Sequence, residues 1–282
     1  MKLQVLDDAA EFLRDAGPLL LPNEARDNLV FGIAGTIATD PSRYPERRFW
    51  LLTDGGRPVA AALRTPPFNL VLATPCDTEA LAALVEAIED ELPGVVGARP
   101  EVDEFVRLWS QRHGVSSRVL REQGIYALEA VQPVPRPPGG AREATHQDKP
   151  LLLAWTAAFG EEVLEEGDPG RVEAVKMVEH RLGAADGGFL LWEDGGEPVS
   201  AAGWGGPTPN GIRIGPVYTP PELRGRGYAT ALTAELSQRL LDRGRRFCFL
   251  FTDLANPTSN AIYERIGYVR VGDSAMLAFL RG

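Results

Sequence analysis

Two nine-residue stretches, 140 residues apart, constrain this chain more than anything else in it. Asp54-Gly-Gly-Arg-Pro-Val-Ala-Ala-Ala62 and Asp194-Gly-Gly-Glu-Pro-Val-Ser-Ala-Ala202 match at most positions. Each reads as a strand, a tight Gly-Gly turn and a second strand. The flanks match in order as well. The first half gives a helical start (residues 1–30), an apolar segment (28–37), strands at 49–53, 58–64 and 69–74, a helix at 78–91 and a strand at 95–98. A helix at 101–111 and strands near 117–120 and 125–131 follow. The second half gives helices at 151–159 and 171–182, then strands at 188–192, 198–204 and 211–218. A helix at 230–242, a strand at 247–252, a short helix at 259–266 and strands at 268–271 and 275–280 complete it. A period near half of 282 residues means one supersecondary plan built twice. Between the halves lies Gln132-Pro-Val-Pro-Arg-Pro-Pro-Gly-Gly140, a stiff proline-rich break. The expected division is a domain at 1–131, a linker at 132–140 and a domain at 141–282.

Composition closes off several classes of function. With 44% hydrophobic and 24% charged residues the chain reads as a soluble globular protein. Its net charge of -10 argues against nucleic acid as the main partner, because a phosphate backbone requires a basic face. No apolar run approaches a membrane span, and the N-terminus lacks the basic-then-apolar pattern of a signal peptide, so a cytoplasmic protein that does not engage membranes is expected. Two cysteines, Cys76 and Cys248, are too few for a disulfide framework and read as free thiols in or beside apolar strands. His113, His146 and His180 show no ligand spacing, so no metal is expected.

The halves diverge after their third internal strand. The second half gives Tyr218-Thr-Pro-Pro-Glu-Leu-Arg224-Gly-Arg-Gly227-Tyr-Ala-Thr230 and then a helical pattern. Arg224, Gly225, Arg226 and Gly227 form a short basic loop. Its glycines let successive N–H groups turn inward, and the positive end of the next helix points the same way. Such a loop suits a phosphate or pyrophosphate. The first half offers Ala73-Thr-Pro-Cys-Asp77-Thr-Glu79 at this point, and its carboxylates repel a phosphate. A nucleotide-type P-loop is ruled out, since no Lys-Ser/Thr follows the glycines.

Arg224-Gly-Arg-Gly227-Tyr-Ala229 resembles the Arg/Gln-x-x-Gly-x-Gly/Ala signature of the GNAT superfamily of N-acetyltransferases. A second motif supports it: Asn256-Pro-Thr-Ser-Asn-Ala-Ile-Tyr263-Glu-Arg-Ile-Gly267-Tyr268 is similar to the family's Asn-to-Tyr helix ending in Gly-aromatic. The resemblance covers residues 145–282, and the first half looks like a degenerate copy. Tandem arrangements with one working half occur in this superfamily. The fold class implied is α/β (α+β): two GNAT-like domains, each a mixed, mostly antiparallel sheet flanked by helices.

The resemblance implies acetyl-CoA as co-substrate and no metal. The N–H groups from Arg224 through Gly225, Arg226, Gly227, Tyr228 and Ala229 to Thr230 are placed to receive its pyrophosphate. The strand before the loop should splay from the next one, so that backbone at Val217, Tyr218 and Thr219 meets the pantetheine amides. Asn256 matches the family's Asn beside the cofactor arm, or is an ordinary helix-entry residue before Pro257; Ser259 is a further cofactor-binding candidate that fits a helix cap and could do only that. Tyr263 matches the family's general acid, which protonates the departing thiolate. The base is open: Glu161, Glu162, Glu165, Glu166 and Asp168 are acidic candidates on the acceptor side. Trp155, Phe159 and Trp204 either line the acceptor site or pack in the core. The acceptor is expected to be a small-molecule or peptide amine, and the chain a monomer (a pseudo-dimer) or a homodimer. The alternative is an acyl-CoA sensor or scaffold without turnover.

Overall fold

The computed structural model describes residues 1–74, 76–164 and 169–280, with the side chains of 169–173 outside the description. The acidic candidates Glu165, Glu166 and Asp168 therefore lie outside the described residues. The chain divides into two compact units. The first holds Met1–Ile125, Thr252–Asn256 and Arg270–Gly282; the second holds Tyr126–Phe251 and Pro257–Val269.

In the first unit, β1 (Lys2–Leu6), β2 (Arg48–Asp54), β3 (Arg57–Arg64) and β4 (Leu70–Leu72) pair antiparallel in order. β5 (Gly94–Ala98) then adds parallel to β4. The helices are α1 (Ala9–Leu20), α2 (Asn28–Thr39), α3 (Thr78–Ala87) and α4 (Glu101–His113), and the chain leaves through β6 (Ser116–Leu128). Asp8 caps α1, accepting the Glu11 N–H at 2.8 Å. Phe12, Ala16 and Leu20, four residues apart, bury one stripe of α1 against Phe49, Leu51 and Leu63 of the sheet. α3 and α4 cover the other face, over Trp50, Leu52 and Leu70. Neighbouring residues of β2 thus point to opposite layers, as the two-residue pleat requires.

The second unit repeats this plan. It begins with β7 (Gly140–Glu143), α5 (Lys149–Val163) and α6 (Pro169–Arg181), followed by β8 (Gly188–Asp194), β9 (Glu197–Gly205) and β10 (Gly211–Tyr218). Next come α7 (Tyr228–Asp242), β11 (Phe247–Asp253) and α8 (Pro257–Ile266). β7 through β10 pair antiparallel in order, and β11 joins β10 parallel. Leu152 of α5, Val178 of α6 and Leu182 just after α6 pack on Phe189, Leu191 and Ala201. α7 and α8 pack Leu232, Leu236 and Ile266 with Leu190, Trp192 and Ala202 on the opposite face. Burying each such side chain contributes roughly 1.5–3 kcal/mol before entropy is set against it.

Several elements differ from the sequence expectation. Residues 2–6 form a strand rather than the start of a helix, because Leu3 and Val5 alternate and pair with Leu52 and Trp50. The two expected strands at 117–131 are the single β6, and those at 268–280 are the single β12 (Val269–Leu280). β12 pairs antiparallel with β5 of the first unit, Ser274 opposite Ala98 and Ala278 opposite Gly94. A Cβ on Gly94 would overlap the Leu277 carbonyl oxygen, so glycine is what lets the two strands close. The proline-rich stretch packs on the second unit. Trp192 Nε1 donates to the Pro138 carbonyl at 2.9 Å, the Arg136 guanidinium lies 5.5 Å from the Trp192 ring, and Val134 joins the same core. Both cysteines are free. Among the described residues no helix is long and apolar enough to cross a membrane.

Candidate functional site

The site is built where β10 gives way to α7. β10 and β11 pair only from Gly211 to Arg213, against Phe247 to Phe249. Past that point β10 stays paired with β9 alone, up to Tyr218 opposite Ala201. A bulge at Gly215 and the cis-linked Pro216 interrupts that pairing between Ile214 and Val217. The backbone of Val217 is therefore available on the side away from β9, as an added strand requires. Val217 itself is half-buried. Ser200 Oγ lies 2.9 Å from Thr219 Oγ1 and donates to the Tyr218 carbonyl at 3.1 Å, which fixes the end of the strand.

The loop then turns through Gly225 and Gly227, at φ +78° and +85°. Only glycine occupies this region at little cost. A Cβ at either position would meet nothing within 4 Å, so the space beside the loop is open. Gly227 is the N-cap of α7 and provides no side-chain cap, and no acidic residue stands in the first turn. The first N–H groups of the helix lack an intrahelical partner by construction. Tyr228, Ala229 and Thr230 form this first turn. Tyr228 is buried, and its hydroxyl donates to the Asp194 carboxylate, which raises its phenol pKa. The repeated Asp-Gly-Gly turn thereby anchors the start of α7. Such a start fits a pyrophosphate: open N–H groups, a positive helix end and no side-chain cap.

The two loop arginines are engaged differently. Arg224 Nε donates to the Thr219 carbonyl at 2.9 Å, and its NH2 group meets both oxygens of Glu162 at 2.7 and 2.9 Å. Its guanidinium also lies 5.8 Å from the Tyr218 ring centre. Arg226 reaches the Glu222 carbonyl at 3.4 Å. Arg224 thus ties the loop to α5. On α5, Trp155 tilts against Tyr218 with ring centres 6.0 Å apart, and Phe159 is half-buried. Trp204 is 5% exposed and belongs to the core. Burial, then the nearby Glu162, raises the Tyr218 phenol pKa.

Tyr263 sits on α8, half-buried, with its ring edge-on to Tyr268 at 5.9 Å. Although part of the residue reaches solvent, burial pushes its phenol pKa up to about 12. Tyr268 is braced in turn: its hydroxyl lies 2.8 Å from Ser237 Oγ, and Ser237 donates to the Thr233 carbonyl at 2.8 Å. The ring that supports Tyr263 is therefore fixed to α7. Ser259 lies half-buried in the first turn of α8. Asn256 is exposed in the turn before α8.

Two supporting residues, Ser237 and Arg181, escape a reading by motif, and the repeated turn does not show that Asp194 takes the Tyr228 hydroxyl. Arg181 looks like an ordinary helix-surface arginine in the sequence but is only 7% exposed. The signal that was present is Gly203 and Gly205 in one strand, a mark of close approach.

Residues 152–268 match the acetyltransferase (GNAT) family. No curated protein matches the chain in sequence. Three solved structures are similar in fold. One is a Drosophila protein, 13% identical, with a TM-score of 0.68 over 99% of this chain and 98% of that one. Another is a GCN5-related N-acetyltransferase from Kribbella flavida, 20% identical, with a TM-score of 0.59 over 89% and 97%. The third is a tandem GNAT protein from the clavulanic acid biosynthesis pathway, 14% identical, with a TM-score of 0.56 over 99% and 98%. The fold is α/β, two GNAT-like halves with mostly antiparallel strands flanked by helices.

Proposed function

We propose that this chain, whose residues 152–268 belong to the acetyltransferase (GNAT) family, moves an acetyl group from acetyl-CoA to an amine by direct attack. The second unit is the catalytic one. The observation that carries this reading is the open start of α7: two glycines at positive φ, no side-chain cap and no acidic residue in the first turn. The N–H groups from Arg224 to Thr230 bind the pyrophosphate, and Arg226 adds charge. Arg224 adds charge to the extent that it leaves Glu162. Backbone at Val217, Tyr218 and Thr219 orients the pantetheine arm beyond the point where β10 parts from β11. Ser259 lies beside that arm, and Asn256 completes the family pattern.

The thioester supplies an activated acyl group. Tyr263 holds a proton for the departing sulfur, and its raised pKa keeps the phenol protonated at neutral pH. Glu161 and Glu162 at the end of α5 are exposed carboxylates that attract a cationic amine and accept its proton, directly or through water. The acceptor is a small-molecule or peptide amine. The chain works without a metal, in the cytoplasm, as a monomer or a homodimer.

Release of free CoA thiol from acetyl-CoA, followed against a panel of amino acids, polyamines, aminoglycoside-type amines and peptide N-termini, tests this reading. Amine-dependent release is the expected result. Acetyl-CoA binding without transfer to any amine would instead favour an acyl-CoA sensor.

A further inference from the structure

Arg181 is the last residue of α6 and is 7% exposed. Among the described residues no carboxylate pairs with it. The charge that bears on it is Arg213, of the same sign; burial, and then Arg213, lower its pKa to about 9. A buried charge is costly, so its placement here calls for a role.

The strand beside it is cut to fit. A Cβ on Gly205 would stand 2.8 Å from Arg181 Nε, and one on Gly203 would stand 3.0 Å from a terminal guanidinium nitrogen. Both positions thus make room for the guanidinium. One terminal nitrogen donates to the carbonyl oxygen of Gly215. That carbonyl belongs to the β10 bulge, between Ile214 paired with Trp204 and Val217 paired with Ala202. The bulge follows the last pair of β10 with β11, at Arg213. It also immediately precedes the backbone that the proposed function assigns to the pantetheine arm.

We infer that Arg181 is a positioning residue for the acyl end of the donor, holding the β10 bulge so that the Val217–Thr219 backbone faces acetyl-CoA. The inference rests on the acetyl-CoA reading of this site. It separates two parts of one ligand. The nucleotide end meets the start of α7, which Arg181 does not touch. The pantetheine and acetyl end meets the strand whose shape Arg181 sets. Without the donated hydrogen bond the Gly215 carbonyl loses its charged partner, and the bulge relaxes.

The test is calorimetric binding of acetyl-CoA and of its nucleotide fragment, adenosine 3′-phosphate 5′-diphosphate, to the full chain and to Arg181→Met. The expected result is about tenfold weaker acetyl-CoA binding, with fragment affinity within about twofold of the parent. Gly205→Ala, whose Cβ displaces the guanidinium, should give the same split and serves if Arg181→Met does not fold. Arg181→Lys, which keeps the charge but shortens the reach, should lose less. Unchanged acetyl-CoA affinity in Arg181→Met and Gly205→Ala, or equal loss for both ligands, overturns the inference alone. A parent chain that binds no acetyl-CoA overturns the donor reading and the inference with it.

Discussion

The helix after the fourth strand begins differently in the two units. α3 is capped by Asp77, whose Oδ1 accepts the Ala80 N–H at 2.7 Å, and Glu79 follows in its first turn. α7 starts at Gly227 with no side-chain cap and no acidic residue. The strands beneath differ in the same sense. β4 and β5 pair at Leu70–Val95 and Val71–Val96, and a Cβ on Gly97 would stand only 3.1 Å from the Leu72 Cβ, so the pair stays close to the end of β4. Directly after β4, the buried Asp27 takes the Thr74 N–H at 2.8 Å and the Thr74 hydroxyl at 3.1 Å. β10 instead runs on through Tyr218 after its last pair with β11. The two units run their strands in the same order and carry the same kinds of helix. On the proposed reading, what separates a donor site from a closed one is a handful of residues at a strand end and a helix start.

The largest effect should come from making α8 resemble α4, which carries no tyrosine. Tyr263→Phe should lower turnover by about 10²–10⁴-fold, the usual contribution of a positioned acid, while acetyl-CoA affinity stays unchanged. Because the Tyr263 pKa is raised to about 12, the parent rate should show no alkaline loss from this group below about pH 10. A variant with full turnover removes Tyr263 from the chemistry.

Next in size is the transfer of the first unit's device to the second. Gly227→Asp puts a carboxylate at the N-cap of α7, where α3 carries Asp77, and adds backbone strain at the positive φ that Asp77 does not bear. Acetyl-CoA affinity should fall by about 100-fold, through repulsion of the pyrophosphate and competition for the same N–H groups. The reciprocal change, Asp77→Ala, should lower stability by about 1 kcal/mol and bring no new acetyl-CoA binding, since β4 and β5 stay together. Calorimetry and thermal melting check both.

A further effect concerns Asp27 in the first unit. Asp27 is 2% exposed, and burial raises its pKa to about 8. In the unfolded chain it titrates near the ordinary carboxylate value. Between about pH 4 and pH 8 the folded form therefore holds a proton that the unfolded form has lost. Stability from this group is full below about pH 4, declines as pH rises and levels off above about pH 8. Asp27→Asn should remove that slope, which is at most about 1.4 kcal/mol per pH unit. Denaturant melts at pH 5 and pH 8 measure it: parallel pH dependence in parent and variant would show that Asp27 stays ionised.

Much of the fold was legible because its punctuation is local. Gly55, Gly56, Gly195 and Gly196 all sit at positive φ, as the repeated Asp-Gly-Gly turn requires. The helix faces followed from spacing, as with Phe12, Ala16 and Leu20. Partner choice was not local. Nothing in 274–278 names Gly94–Ala98 as its neighbour, and Gly140–Glu143 becomes a strand only by pairing with Leu190–Glu193. The loop and its helix were legible because glycines at fixed spacing next to a helix carry chemistry in themselves. Arg181 and Asp27 were not, because a charged residue on a helix or in a loop reads as solvated until its burial is seen. Nor does sequence show that Arg224 holds Glu162.

The difference between the units is tested most directly by the stoichiometry of acetyl-CoA binding to the full chain, measured by titration calorimetry on the parent and on Gly227→Asp. One acetyl-CoA per chain, with binding weakened by about 100-fold in the variant, is the predicted result. Two per chain, or one that binds the variant as tightly as the parent, would contradict a single donor site in the second unit.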